Sequence, residues 1–110
     1  MRPRDKGTRA ETEVVSALVR GGYPLASRAP LWGARDRGDV VGVPFVVSVK
    51  DQREMRLSSW VDDLDGMLVN SGMGMGVVWH KRVGRGRAEE WYVTTTGRLW
   101  LSHWGGLGNG

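Results

Sequence analysis

The chain has 110 residues, with 16 Lys and Arg against 12 Asp and Glu, for a formal net charge of +4. That length suits one domain around a modest core, and the basic balance suits a polyanionic partner. With no cysteine, disulfides and thiolate zinc sites are excluded, and the only histidines, His80 and His103, are too few and too far apart to make a metal site alone.

In chain order, "TRAETEVVSALVR" (8–20) has helical periodicity: Ala10, Val14, Ala17 and Leu18 repeat on one face, with Val15 at its edge. Thr8 with Glu11 three residues on forms a capping-box pattern, and "GGY" (21–23) ends the helix. "PLASRAPLW" (24–32) is expected to run extended, and "GARDRGD" (33–39) to be a charged loop. Residues 39–43 and 45–51 predict two strands around Gly42-Val43-Pro44. "LSSWVDDLDGMLVN" (57–70) predicts a second helix with Trp60, Val61, Leu64, Met67 and Leu68 as its apolar stripe, capped by Ser58 or Ser59. "SGMGMG" reads as a flexible connection. "VVWHKRV" and "WYVTT" read as an antiparallel pair joined by the basic loop "GRGRAEE". Residues 1–104 are expected to form the single domain and the Gly-rich residues 105–110 a flexible tail. Helix, three strands, helix and two strands imply an α/β fold: one mixed central sheet with flanking helices. The longest uncharged run, Val40 to Val49, is ten residues and too short to span a membrane. "MRPRDKGTRAETE" lacks the apolar core of a signal peptide, so a soluble, cytoplasmic setting is expected.

The carboxylates carry the chemistry. With helical residues about 100° apart, Glu11 falls about 60° from Val14, inside the apolar stripe, while Glu13 falls about 100° to the other side. A carboxylate aimed at a sheet needs a partner, which a metal or a lysine supplies; Glu13 is expected to be replaceable at little cost. Along the second strand, Val46, Ser48, Lys50 and Gln52 share one face, and Phe45, Val47 and Val49 the other. The second face is read as core, the first as the polar face. A neighbouring strand starting at Asp39 brings its carboxylate beside Lys50, so Glu11, Asp39, Ser48 and Lys50 are expected to converge.

Several segments together resemble the Holliday junction resolvases of the PD-(D/E)XK nuclease superfamily, of the archaeal type and the versions encoded by actinobacterial phages. They are "KGTRAETEVV" (6–15), "GARDRGDVVGVP" (33–44), "VVSVKDQ" (46–52), "WVDD" (60–63), "VVWHKR" (77–82) and "YVTTTG" (92–97). The resemblance implies a PD-(D/E)XK core of αβββαβ order and metal-dependent cleavage of DNA four-way junctions by a homodimer. It implies that Glu11, Asp39 and Lys50 are active-site groups. Mg²⁺ (or Mn²⁺) would be held by Asp39, by the residue at position 48 and by the Val49 carbonyl, with Glu11 assisting directly or through water. Lys50 would orient the nucleophile or stabilise developing charge.

The family pattern has Glu where this chain has Ser48. Three readings stand side by side. The acid has migrated to the next helix, where Asp63 flanks the apolar face and Asp62 points away as a capping acid for Ser59; or Ser48 is an engineered replacement that inactivates the site; or the chain binds junctions without efficient cutting. If Ser48 is a lost ligand, glutamate at that position restores a carboxylate beside Lys50. Arg28, Arg35 and Arg37 before Asp39, and Lys81 and Arg82 after the fourth strand, are the cations expected to contact a DNA backbone. Arg85 and Arg87 read equally well as a solvated charge run. Trp60 is expected in the core, and Trp100 and Trp104 at a dimer interface.

Overall fold

A computed structural model describes residues 3–105 of the chain. Helix α1 (Pro3–Arg20) is followed by strands β1 (Ser27–Arg28), β2 (Val40–Val41) and β3 (Val46–Lys50). Helix α2 (Leu57–Ser71), strand β4 (Gly76–His80), a 3₁₀ turn (Ala88–Glu90), strand β5 (Tyr92–Thr94) and helix α3 (Gly97–Trp104) complete the chain. Strands β3, β4 and β5 form a mixed sheet, with β3 parallel to β4 and β4 antiparallel to β5. Strands β1 and β2 form an antiparallel pair, joined to β3 through the Asp39 N–H, which donates to the Val47 carbonyl (2.7 Å). The order of helix, three strands, helix and two strands agrees with the expectation. The tail from residue 106 lies outside the described residues. Among the described residues no helix is long and apolar enough to cross a membrane.

Helix α1 buries Ala10, Val14, Ala17 and Leu18 against Val47, Val49 and Val77. It begins at Pro3, not at Thr8, because proline fits a first helical turn. Thr8 is therefore internal, and its carbonyl accepts from the Thr12 hydroxyl (2.9 Å). The other end is as expected: Gly21 and Tyr23 donate to the carbonyls of Ala17 and Leu18, with Gly22 left-handed at φ 114°. Helix α2 buries Trp60, Leu64 and Met67 on the opposite face of the sheet, over Val46 and Val78. Its N-cap position is Arg56, with no side-chain capping bond, so Ser58, Ser59 and Asp62 do not form the expected cap. The segment "SGMGMG" is more tied than a flexible connection: Gly72 caps α2 in the left-handed region, the Ser71 hydroxyl accepts from Met73 N–H, and the Met75 carbonyl accepts from Val46 N–H.

Helix α3 was not anticipated. Thr96 caps it, its side chain accepting from Leu99 N–H (3.2 Å), and Leu99 is its buried residue. Trp100, Leu101 and Trp104 remain exposed. Trp79 and Val93 of the sheet, Phe45 and Met75 just before β3 and β4, and Trp100 and Trp104 of α3 line an apolar groove of about 580 Å³ beside the C-terminal half of α1.

The turn between β2 and β3 is fixed by backbone proximity. Gly42 has φ 82°, and a Cβ there would overlap the Leu25 carbonyl. Gly42→Ala is therefore expected to destabilise the fold by about 2 kcal/mol or more, read as a lower urea midpoint at unchanged slope. Gly74→Ala, where a Cβ meets nothing within 4 Å, should leave that midpoint nearly unchanged.

Candidate active site

The end of β3 gathers the groups that the sequence singled out, and Asp39 is the pivot. Its backbone N–H bonds the Val47 carbonyl (2.7 Å), and its carbonyl accepts from Ala29 N–H (2.9 Å). One register step further, its side chain takes over from the backbone: Oδ2 accepts from Val49 N–H (2.7 Å). Gly38 precedes it with φ 95°, and a Cβ there would lie 3.0 Å from the Val47 carbonyl oxygen. The tight entry into β2 thus needs glycine. The Gly38 N–H is taken by Asp36 Oδ1 (2.8 Å).

Asp39, Val49 and Lys50 share a cleft of about 910 Å³ with Gly7 and Glu11 of α1 and with Gln52, Arg53 and Arg56 of the β3–α2 loop. Glu11 is held by Arg28, whose Nε donates to Oε1 (3.1 Å). Arg28 is thus already engaged with the helix carboxylate rather than poised alone for a phosphate. Because a strand residue directs its N–H and C=O to the same side, the Val49 carbonyl is aimed at the same edge as the N–H that bonds Asp39. Among the described residues, no group of three His, Cys, Asp or Glu comes together as a metal cage. Four of the described carboxylate residues line the cleft, Glu11, Asp39, Asp51 and Glu54; Glu11 and Asp39, with the strand-edge carbonyl, are the donors the sequence singled out.

The electrostatics match that crowding. Desolvation pushes the Asp39 carboxyl up from 3.8 to about 6, with Glu11 and Asp36 adding repulsion; the Val49 N–H and Lys50 pull in the opposite direction.

Two predicted site residues lie elsewhere. Ser48 is not in the cleft. It is 1% exposed, shares its sheet face with Val46, and pairs across to Val78 under α2. The expectation of one polar and one apolar face on β3 is therefore corrected: with α1 on one side and α2 on the other, both faces are core. The Ser48 hydroxyl finds no hydrogen-bond partner among the described residues, nor does Nδ1 of the neighbouring buried His80. The other His80 nitrogen bonds the Thr94 hydroxyl (2.8 Å), and burial lowers the imidazole pKa. Asp63 is exposed on α2 and does not line the cleft.

The proposed DNA-contacting cations flank the site unevenly. Arg35 and Arg37 are exposed on the loop before Asp39, with Arg37 5.2 Å from the Trp32 ring centre. Lys81 reaches Asp51 (3.8 Å) and lies over Trp91; Arg82 lies over Tyr92. Sequence reasoning missed Asp51, which joins the cleft to the depression around Lys81; its place directly after Lys50 was the available signal. It also missed Glu13, whose Oε1 accepts from Ala88 N–H (3.2 Å) and from Arg20. Glu13 thus ties α1 to the 3₁₀ turn after β4.

Comparison of the chain with protein-family models, curated proteins and solved structures finds no match.

Two outcomes follow from this geometry. Ser48→Glu puts a carboxylate into the layer under α2 and should destabilise the fold by about 3 kcal/mol or more, without raising metal affinity. Ser48→Ala removes an unpartnered hydroxyl and should be neutral or stabilising by about 1 kcal/mol; chemical denaturation of both variants checks the pair. Because the folded Asp39 pKa is raised, its protonated form favours the fold. Stability from this group is full below about pH 4 and is lost as pH rises through about 6. Asp39→Asn, which keeps an oxygen for Val49 N–H, should therefore stabilise by up to about 3 kcal/mol at pH 8 and by little at pH 3.5, measured as the difference in unfolding free energy at the two pH values.

Proposed function

We propose that this chain is a Mg²⁺- or Mn²⁺-dependent endodeoxyribonuclease of the PD-(D/E)XK type that resolves four-way DNA junctions. The observation that carries this reading is the fixed Asp39 carboxylate, sharing one cleft with Glu11 and Lys50. A lysine at the end of a strand beside two carboxylates supplies the two charges that phosphodiester hydrolysis needs, one to hold a cation and one to meet the developing anion. The donor set fits a hard divalent ion, because magnesium keeps most of its waters and takes one or two protein carboxylates. Asp39 and Glu11 would hold it, with the Val49 carbonyl; when bound, it would polarise the scissile phosphate and activate water. A cation there also relieves the repulsion and desolvation that raise the Asp39 pKa.

The chain's own groups have separable tasks. Val49 N–H orients the Asp39 carboxylate. Arg28 orients Glu11 and neutralises part of its charge. Lys50, on the cleft wall, pairs with the non-bridging phosphate oxygens or the attacking water. Arg35, Arg37, Lys81 and Arg82 place the DNA backbone. Cutting two opposed strands calls for two sites related by a two-fold axis, hence a homodimer, and the Trp100, Leu101 and Trp104 face of α3 is the apolar surface it would bury.

A second reading is favoured by one observation. With Ser48 buried under α2, the position where the family pattern has its second acid does not reach the cleft, and Asp51 and Glu54, which line it, stand outside that pattern. A junction-binding protein whose degenerate site does not cut would have that arrangement.

Cleavage of a synthetic four-way junction in Mg²⁺ or Mn²⁺ decides between them. On the nuclease reading, Asp39→Asn and Lys50→Ala each reduce cleavage by about 100-fold or more, while junction affinity at matched salt stays within about threefold, because binding rests on distributed cations. Undiminished cleavage by either variant sinks the site assignment. Tight junction binding with no cleavage by the parent chain leaves the second reading.

A further inference from the structure

Two loops rise beside the candidate cleft, and each ends in an apolar side chain that touches nothing. Among the exposed large apolar residues, Leu31 at 100% and Val83 at 97% are the extremes. A scattered surface leucine is ordinary, but these two hold matched positions. Leu31 lines a depression whose other wall is Glu11 and Asp39. Val83 lines a depression shared with Asp51, Gln52 and Arg53, the residues that form the other wall of the cleft. They therefore straddle the cleft. Their loops follow β1 of the two-stranded pair and β4 of the three-stranded sheet, which meet through the Asp39–Val47 bond.

Both loops are pre-ordered. In the first, Trp32 Nε1–H donates to the Gly38 carbonyl (2.8 Å), Asn70 of α2 donates to the Asp36 carbonyl (2.9 Å), and Arg37 lies over the Trp32 ring. In the second, Arg85 N–H bonds the Arg82 carbonyl (3.1 Å). Gly84 holds φ 81° at the third position, the signature of a type II turn with Val83 at its apex. Trp91 Nε1–H donates to the Arg85 carbonyl (2.9 Å). Each apex is flanked by arginines: Arg35 and Arg37 on the first loop, Arg82, Arg85 and Arg87 on the second, while Arg28 at the end of β1 is taken by Glu11. A rigid loop that presents one apolar side chain between arginines suits a surface that is anionic outside and apolar within. Nucleic acid is such a surface wherever its bases can be parted: arginines take the phosphates, and the apolar tip enters the stack.

We propose that Leu31 and Val83 are a pair of wedges that enter DNA on either side of the cleft, at points where base stacking is already interrupted. This rests on the nuclease reading above and deepens it by assigning the preference for branched over continuous duplex to two residues. In unbroken duplex each wedge must first unstack a step; at a branch point that step is already open, so the same contact forms without the penalty.

The test uses the full chain with a four-way junction and a linear duplex of the same sequences, each carrying 2-aminopurine beside the branch position. The parent chain should bind the junction more tightly and raise 2-aminopurine emission there, as unstacking does. Leu31→Ser and Val83→Ser should each lower the junction-to-duplex affinity ratio by about tenfold, and the double variant should also lose the emission rise. Leu31→Met and Val83→Ile, which keep an apolar tip, should retain both signals. Since neither side chain is buried, thermal stability should not move, which separates wedge loss from misfolding. A double serine variant that keeps the junction preference and the emission rise overturns the wedge assignment and leaves the nuclease reading intact. Failure of the parent chain to bind either DNA overturns both.

Discussion

Asp39 makes three hydrogen bonds that decide where the first part of the chain meets the sheet. Its carbonyl receives Ala29, its amide reaches Val47, and its carboxylate receives Val49. Strand β2 is two residues long, and this side chain extends its bonding to β3 by one further step. The same bond that continues the ladder aims the carboxylate at the cleft. Fold and site are thus not independent here: the group that a cation would bind is also the group that completes the sheet. Its raised pKa records the tension between those roles, a charge held where solvent is scarce because the strand needs an acceptor there.

The second constraint is that β3 is covered twice. Helix α1 packs on Val47 and Val49, and α2 on Val46 with Val78 of β4. A strand in that position has no solvent face to carry polar residues, so Ser48 sits among apolar neighbours. Polar chemistry can appear only where the covering ends, past Val49 at the last residue of the strand. That is where Lys50 emerges, half-buried, and where Asp51 and the β3–α2 loop take over.

Much of this was legible in the sequence. The stripes of α1 and α2 follow a period of 3.6, the "GGY" stop satisfies a helix end, and Gly42 marks a turn that only glycine fits. Glu11 was placed correctly by angle, on the side of α1 that faces the strands. What failed failed for stated reasons. The Thr8 and Glu11 spacing imitates a capping box, but the helix runs on to Pro3. Alternation along β3 could not reveal that both its faces are buried, since a doubly covered strand reads nearly alike on both. The Arg28 bond to Glu11 and the Glu13 bond to Ala88 join residues distant in sequence, which no local pattern encodes. Helix α3 is short, and its tryptophans looked like an interface rather than a helix face.

The bonds at the far end of α1 bear on the order in which the molecule is made. Arg20 pairs with Glu89 (2.7 Å) and Glu13 with the Ala88 amide, partners 69 and 75 residues downstream. During synthesis α1 precedes every strand it packs on; its apolar stripe meets Val47 and Val49 as soon as β3 forms, whereas these two bonds wait until the chain has grown past β4. Glu11 travels with α1. A nascent chain that has reached Lys50 already carries every contact that brings Glu11 to Asp39, with Arg28 there to hold it. Residues 88 and 89 arrive later and clasp the far half of the helix, through Glu13 and Arg20, onto a cleft whose parts are already present.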